Sequence, residues 1–520
     1  MIRVVSLLGS ILAVMMPAVS LNSDALAQDS GRYIIKFKES RARALTRSSA
    51  KVLDLKISSL GDLSARVIDK MPADHSAVIA LDRNELASIE SRRDVESVEP
   101  DTIVKAFFDP NDPVYSLQYS LNGEYGSRVS AAWDITTGSR RAVVAIIDTG
   151  ADLAHPDIQS NLWINSKESK GTRGRDDDGN GCIDDIHGCD LFNSDGSPQD
   201  DNGHGTHVAG IVAASGNNAI GVTGAAWGSR ILSVKALGAD GSGVTSTIAK
   251  AIDYVTTLKS KGAPIVAINL SLGGGGYSNA IYRAVERARN HDILVVAAAG
   301  NSGSNNDVAP LYPANLTIDS VVSVAATDAV GNLASYSNYG AATVHIAAPG
   351  SQIWSTALRS LGYQYRTLSG TSMSSPLAAG VISLISAANP ALSMLQVKSI
   401  LLATGRPLDS LRATVITGAL VDAQSAVRAA ASTPALVRVA GFVRNRARAV
   451  SGATVTLTQR GGATSLSRVV TTASDGSYSF SELPKGDYTL KVKKVRLRFA
   501  SQVINATALK TFRRDFSALY

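Results

Sequence analysis

From about Ala132 to the apolar run after Ser372 the chain repeats one pattern. Short runs that are apolar throughout ("AVVAIID", "RILSVKAL", "IVAINLSL", "ILVVAAAGN", "VVSVAAT") alternate with stretches of helical character such as "TSTIAKAIDYVTTL" and "SNAIYRAVERARN". A strand with one wet face alternates polar and apolar residues, whereas a strand apolar on both sides must be covered on both. The pattern therefore predicts a parallel sheet with helices on each face. In such sheets functional groups gather at the carboxyl ends of the strands. Two polar residues stand there: Asp148 after "AVVAII" and Asn301 after "ILVVAAAG".

A third feature is "SGTSMSSPLAAGVISLI", where small residues crowd around Ser372 ahead of an apolar run. Small residues let a helix lie close to a sheet, and Ser372 could be no more than that. As a nucleophile it needs a general base, an orienting acid and donors for a tetrahedral oxyanion. His204 in "DNGHGTHVAGIVAAS" is the candidate base, with glycines that let a substrate approach the ring. His207 lies one turn on. A zinc helix would need H-E-x-x-H, and that Glu is missing. His207 is therefore read as a structural neighbour. Asp148 is the candidate orienting acid. Taken singly, an Asp at a strand end is more often a helix cap; taken with His204 and Ser372, the cap reading loses. Asn301 could be a turn residue, or a donor acting with the Ser372 amide.

"VAIIDTGADLAHPDI", "HGTHVAGIV", "AAAGNSG" and "GTSMSSPLAAG" together resemble the motifs of the subtilisin-like serine proteases, and the order Asp, His, Ser is theirs. The resemblance spans roughly Pro110 to Ala430. It implies an α/β fold, a subtilisin-like parallel sheet covered by helices on both faces. It implies Asp148, His204 and Ser372 as a catalytic triad and Asn301 as oxyanion donor. It also implies that "INLSLGGGG", through Ser271, Leu272 and Gly273, pairs with substrate as an added strand. "GADGSGV", through Gly241, Ser242 and Gly243, forms the opposing edge. Two departures, Ser374 after the Met and Leu377 after the Pro, touch packing rather than chemistry. The G-x-S-x-G elbow of α/β-hydrolases fails because Ser374 replaces the last Gly. A pseudoprotease that only binds is disfavoured by four intact chemical positions. Primary specificity leans to broad cleavage after apolar residues, since Ser302 puts no acid beside Asn301.

The flanking segments set the domain plan. Residues 1–27 combine Arg3, an apolar run broken by Pro17 and an "ALA" ending at Ala27, the form of a secretory signal. Export predicts a secreted protein, extracellular or in the periplasm and cell envelope. Residues 28–106 read strand ("YIIKF"), strand ("HSAVIAL"), helix ("NELASIES"), strand ("VESVEPDTIV"), a small α+β unit. It resembles the family's inhibitory pro-segment, with self-cleavage expected near Ala106 to Phe108. The peptidase domain is 107–431. Residues 436–520 carry alternating strands between turns such as "SDGS" and "PKGD", an antiparallel β-sandwich. They resemble the carboxypeptidase-regulatory β-sandwich. From Ser432 on there are 15 Lys and Arg against 4 Asp and Glu, a net of +11, which leaves −4 for the first 431 residues. The tail is thus a candidate for anionic polymers of the cell envelope, with plain solubility as the alternative. Aromatic content of 5% gives no stacking platform for nucleic acid, and a monomer is expected.

Export permits a disulfide between Cys182 and Cys189, whereas two thiols near His187 make a poor zinc set. Calcium is expected at two places. "RDDDGNGCIDD" offers Asp176, Asp178, Asn180 and Asp184 as hard oxygens around Gly181, a solvated acidic turn being the alternative. The second rests on resemblance: "GNNAIGV" implies the Asn218 side chain and the carbonyls of Gly216, Ile220 and Val222, completed by Gln118 and Asp157.

Overall fold

The computed structural model describes residues 31–38, 49–60, 66–81, 85–101, 109–274, 276–434, 437–460, 466–484, 486–506 and 511–519. The expected signal and the expected cleavage point lie outside these residues. The chain divides into two compact units, Met1–Ala106 and Phe107–Tyr520.

The first unit holds a four-stranded antiparallel sheet in the order Arg66–Met71, Ser76–Ala80, Arg32–Phe37, Val95–Pro100. Ile35, Phe37, Ala77 and Ile79 point inward beneath helices Ser49–Ser58 and Leu86–Glu90, closing on Leu53 and Ile89. Helix Ser49–Ser58 and strand Arg66–Met71 were not read from the sequence. Strand Arg66–Met71 has no buried residue, so it carries little apolar signal.

The second unit is built on a nine-stranded sheet. Its order is Arg406–Pro407, Ala419–Leu420, Ile346–Pro349, Val321–Thr327, Leu294–Ala298, Ile265–Leu270, Val143–Asp148, Arg230–Lys235, Gly188–Asp190. All pairings are parallel except the two-residue edge pair. Val143–Asp148 is buried at every position, as an all-apolar strand between two neighbours must be. One face packs helices His204–Ala213, Thr371–Ala388, Met394–Ala403 and Ala423–Ser432. The other packs Thr245–Ser260 and Asn279–Asn290. Helix Thr371–Ala388 is 18 residues long, apolar and mostly buried, the central core helix. Leu377 is fully buried in that core, and Ser374 donates to the Ala348 carbonyl at 2.9 Å.

The tail is all-β. Ser467–Thr471, Thr454–Gln459, Gly486–Lys493 and Gln502–Ala506 form an antiparallel sheet. A second sheet is built on Val437–Asn445, which pairs antiparallel with Ser477–Leu483 and Arg448–Ala449. Val439, Val443, Leu457, Phe480, Tyr488 and Leu490 are among the side chains of their shared core. The purely antiparallel expectation is corrected at one edge. Thr511–Arg513 and Phe516–Ser517 return parallel to Val437–Asn445, covering an edge that would otherwise offer unpaired backbone.

Candidate active site

Asp148 is the last residue of its strand and wholly buried. Its Oδ1 accepts from His204 Nδ1 at 2.7 Å and from the Thr149 amide at 2.8 Å. Burial disfavours the His204 cation, but the charge and hydrogen bond of Asp148 outweigh it and hold the ring's pKa above its ordinary value. Nδ1 is thereby committed to Asp148, and Nε2 is the nitrogen left for proton transfer.

His204 opens helix His204–Ala213, and the turn before it is organised by a residue the sequence reading missed. Asp200 is buried. Its Oδ1 accepts from the Asn202 and Gly203 amides and the Thr149 hydroxyl; its Oδ2 accepts from the Thr206 amide and hydroxyl. One carboxylate thus caps the helix and ties it to the residue after Asp148. Gly203 has φ +101°, a conformation that favours glycine. His207 Nε2 donates to the Arg366 carbonyl at 3.2 Å, and burial pushes the ring's pKa down to about 3. It stays neutral and structural.

Ser372 lies in the first turn of helix Thr371–Ala388, which packs on the His204 helix. Its hydroxyl donates to the Ser271 carbonyl at 3.3 Å, a long contact that must break before a proton passes to His204. Pro376, four residues on, has no N–H, so the Ser372 carbonyl lacks its helical partner. Ser271 Oγ supplies the missing donor at 2.9 Å. The nucleophile's backbone is therefore fastened to the segment expected to bind substrate.

Asn301 follows strand Leu294–Ala298. Its Oδ1 accepts from the Thr371 amide at 2.8 Å and the Thr371 hydroxyl at 2.9 Å, which leaves Nδ2 as the outward donor. A Cβ built on Gly370 would lie 3.3 Å from Asn301 Nδ2 and 3.5 Å from the Ser372 amide. Glycine at 370 leaves open the space that these two donors share.

Of the expected substrate edges, Ser271 is buried, Leu272 half-buried and Gly273 exposed, beside Leu311. Gly241, Ser242 and Gly243 lie on an exposed tight turn in which the Gly238 amide donates to the Ser242 carbonyl. Lys235 is 1% exposed and donates to the Thr149 and Leu237 carbonyls and to Asp201, linking this turn to the strand of Asp148.

Cys182 and Cys189 form a disulfide. In the loop around them, oxygens of Glu168, Asp176 and Asp178 lie within 4.8 Å of one another. Asp178 Oδ1 is buried without a hydrogen bond, its charge met by the Lys261 ammonium at 3.7 Å. This donor set fits a hard cation. Glu168 was missed because it precedes the acidic run. Asp184 instead accepts from the Gly174 amide, and Asn180 donates to Asp185 and accepts from the Cys182 amide. Burial raises Asp185 to about 6, opposed by its bond from Tyr254.

At the second place, Asp157 accepts from Asn218 Nδ2 at 2.8 Å and from the Val222 amide at 3.0 Å. Gly216 and Ile220 belong to the same loop. Gln118 is paired at both ends of its amide with Thr223. Asp112, which the sequence reading missed, is buried. Its Oδ2 accepts from the Asn217 amide, and its Oδ1 is buried without a partner. Burial and the Asp112 charge raise Asp157 to about 6. Two buried carboxylates this close, one with an orphaned oxygen, fit a bound cation.

The model of the subtilase family matches residues 139–437, and that of the carboxypeptidase regulatory-like domain matches 438–518. A thermophilic serine proteinase of Bacillus sp. (strain AK1) is 36% identical over 71% of this chain and 80% of its own length. An extracellular protease of Xanthomonas campestris is 35% identical over 79% of this chain and 75% of its own. A solved protease structure from Pseudoalteromonas arctica is 32% identical with a TM-score of 0.51, covering 62% of this chain and 99% of that one.

Proposed function

The chain belongs to the subtilase family and is a subtilisin-like serine proteinase; from that premise we propose that it is an exported endopeptidase, made as a self-processing zymogen, that cleaves proteins through an acyl-enzyme on Ser372. The observation that carries this reading is the buried Asp148 bonded to His204 at 2.7 Å.

His204 Nε2 takes the Ser372 proton as Oγ attacks the scissile carbonyl. Asp148 stabilises the imidazolium that forms. The carbonyl oxygen, now charged, is met by Asn301 Nδ2 and the Ser372 amide. His204 then protonates the departing amine, and water repeats the sequence to release the acid. On the acyl side, Ser271, Leu272 and Gly273 and the turn Gly241, Ser242, Gly243 hold the substrate as an added strand. Calcium, when bound, supplies charge balance and cross-linking rather than chemistry. Glu168, Asp176 and Asp178 would hold one ion, and Asp112, Asp157 and Asn218 another. The second ion would fasten segment 111–114 to loop 216–222, already joined by the Val114 amide on the Gly221 carbonyl. The pro-segment is cut near Ala106 to Phe108 by the same triad, and the basic tail engages anionic envelope polymers.

Ser372→Ala tests the reading. It removes the nucleophilic oxygen from a site that already favours a small residue. The variant is expected to fold, to keep its pro-segment in a protease-deficient host, and to resist a fluorophosphonate that labels wild type. Maturation at the wild-type rate would overturn it.

A further inference from the structure

The hairpin of strands Ile353–Thr356 and Tyr365–Leu368 leads directly into Gly370 and Ser372, yet the mechanism leaves it without a task. Its first strand is fastened to the His204 helix: Ser355 Oγ donates to the His207 carbonyl and Thr356 Oγ1 to the Thr206 carbonyl, each at 2.7 Å. The tip, residues 357–364, is pinned as well. Arg359 makes a two-pronged bond to Asp152 at 2.7 and 2.8 Å, and that carboxylate is 4% exposed.

The tip stands on one particular side of His204. In the turn before the base, Asn202 Nδ2 donates to the Ala239 carbonyl, and a Cβ on Gly241 would meet the Asn202 side chain. The neighbouring Gly203 faces elsewhere: a Cβ there would meet Leu358 at 3.3 Å and Leu361 at 3.5 Å. The base thus sits between turn 238–243 and the hairpin tip. Leu361 and Tyr363 stay 45% and 43% exposed although the tip around them is held fast. Tyr363 lies under the Arg366 guanidinium, 5.5 Å from its ring centroid, and accepts from it at 3.1 Å.

We propose that Leu361 and Tyr363 form the wall that reads the substrate residues on the leaving side of the scissile bond, and that they select apolar side chains there. The inference rests on the proteolytic reading above. His204 must reach the departing nitrogen, so the leaving segment begins at its ring. Turn 238–243 is taken by the acyl strand, and the hairpin is the surface across the base from it. Two apolar side chains on a pinned tip offer a preformed contact with little ordering cost.

The full mature chain is assayed on two kinds of substrate. One is a set of internally quenched peptides that share an acyl half and carry Leu, Gly or Lys just beyond the scissile bond. The other is the same acyl half joined directly to a chromogenic amine, with no leaving-side residue. Wild type is expected to prefer Leu over Gly in the quenched set. Leu361→Asp is expected to lower kcat/KM for the Leu peptide about tenfold, and to raise it for the Lys peptide, each taken relative to the chromogenic amide. The gain on Lys cannot come from misfolding. An equal fall on both kinds of substrate, or an unaltered leaving-side preference, overturns the proposal. Wild type inert on both kinds of substrate overturns the proteolytic reading, and this proposal with it.

Discussion

Asp148→Asn isolates what the buried charge does for His204. Asp148 Oδ1 already accepts from the Thr149 amide as well as from His204, so the carbonyl of an asparagine is fixed facing both donors. Its NH2 then falls where Oδ2 now lies, buried without a partner. His204 keeps its tautomer and loses only the negative charge. At 2.7 Å and an effective dielectric of about 20, a full ion pair is worth about 6 kcal/mol. The asparagine restores a neutral hydrogen bond worth about 1 kcal/mol, and His204, 28% exposed, is partly screened by water. The imidazolium should lose about 3–4 kcal/mol, so kcat falls roughly 10²–10³-fold. Loss of the tautomer would give a fall of about 10⁴. The pH profile gives an independent sign. Asp148 raises the His204 pKa, and the base works when neutral, so wild-type kcat/KM rises through a pKa above the ordinary 6.5. Without the charge that limb moves to lower pH. The assay is kcat/KM on a chromogenic peptide across about pH 5 to 8. An acid limb that stays put or moves up, or a fall as deep as that of Ser372→Ala, would refute the reasoning.

Chelation should lower the melting temperature by several degrees and speed autolysis, since an ion held at about 100 times its Kd adds about 2.7 kcal/mol. Asp112→Ala should remove part of that shift in calorimetry, and an unchanged shift would exclude Asp112 as a ligand. Cys182→Ser should cost about 2–3 kcal/mol by loop-closure entropy over the separation of 7 residues, read as a denaturation midpoint. Thr371→Val removes one of two donors that hold Asn301 Oδ1, and should lower kcat about three- to tenfold with KM unchanged.

The sheet was legible because an all-apolar strand such as Val143–Asp148 has few other places to go. Asp148 and Asn301 were legible because a polar residue at such a strand's end is conspicuous. Asp200 carried no such mark: an aspartate in "QDDNGHG" reads as loop, and the bond that ties it to the Asp148 strand comes from Thr149, 51 residues away. Asp112 was hidden for the same reason, its partner Asn217 lying 105 residues away. The hairpin 353–368 escaped because its strands are four residues long and half polar, so neither period registers. The Ser271–Ser372 fastening was invisible until Pro376 and Ser271 were seen to meet at one carbonyl.

The strand order has a kinetic meaning. Val143–Asp148, the first of the nine strands in the chain, pairs with Arg230–Lys235 and Ile265–Leu270 across separations of about 90 and 120 residues. Every parallel pairing must close a long loop before it gains contacts, so topologies of this kind fold slowly. Copies that unfold therefore stay open for long intervals. In a population of active proteinases an open chain is a substrate, and the slower it refolds the more often it is digested first. The lifetime of the enzyme is then set by how rarely the sheet opens rather than by the free-energy difference between its folded and unfolded states.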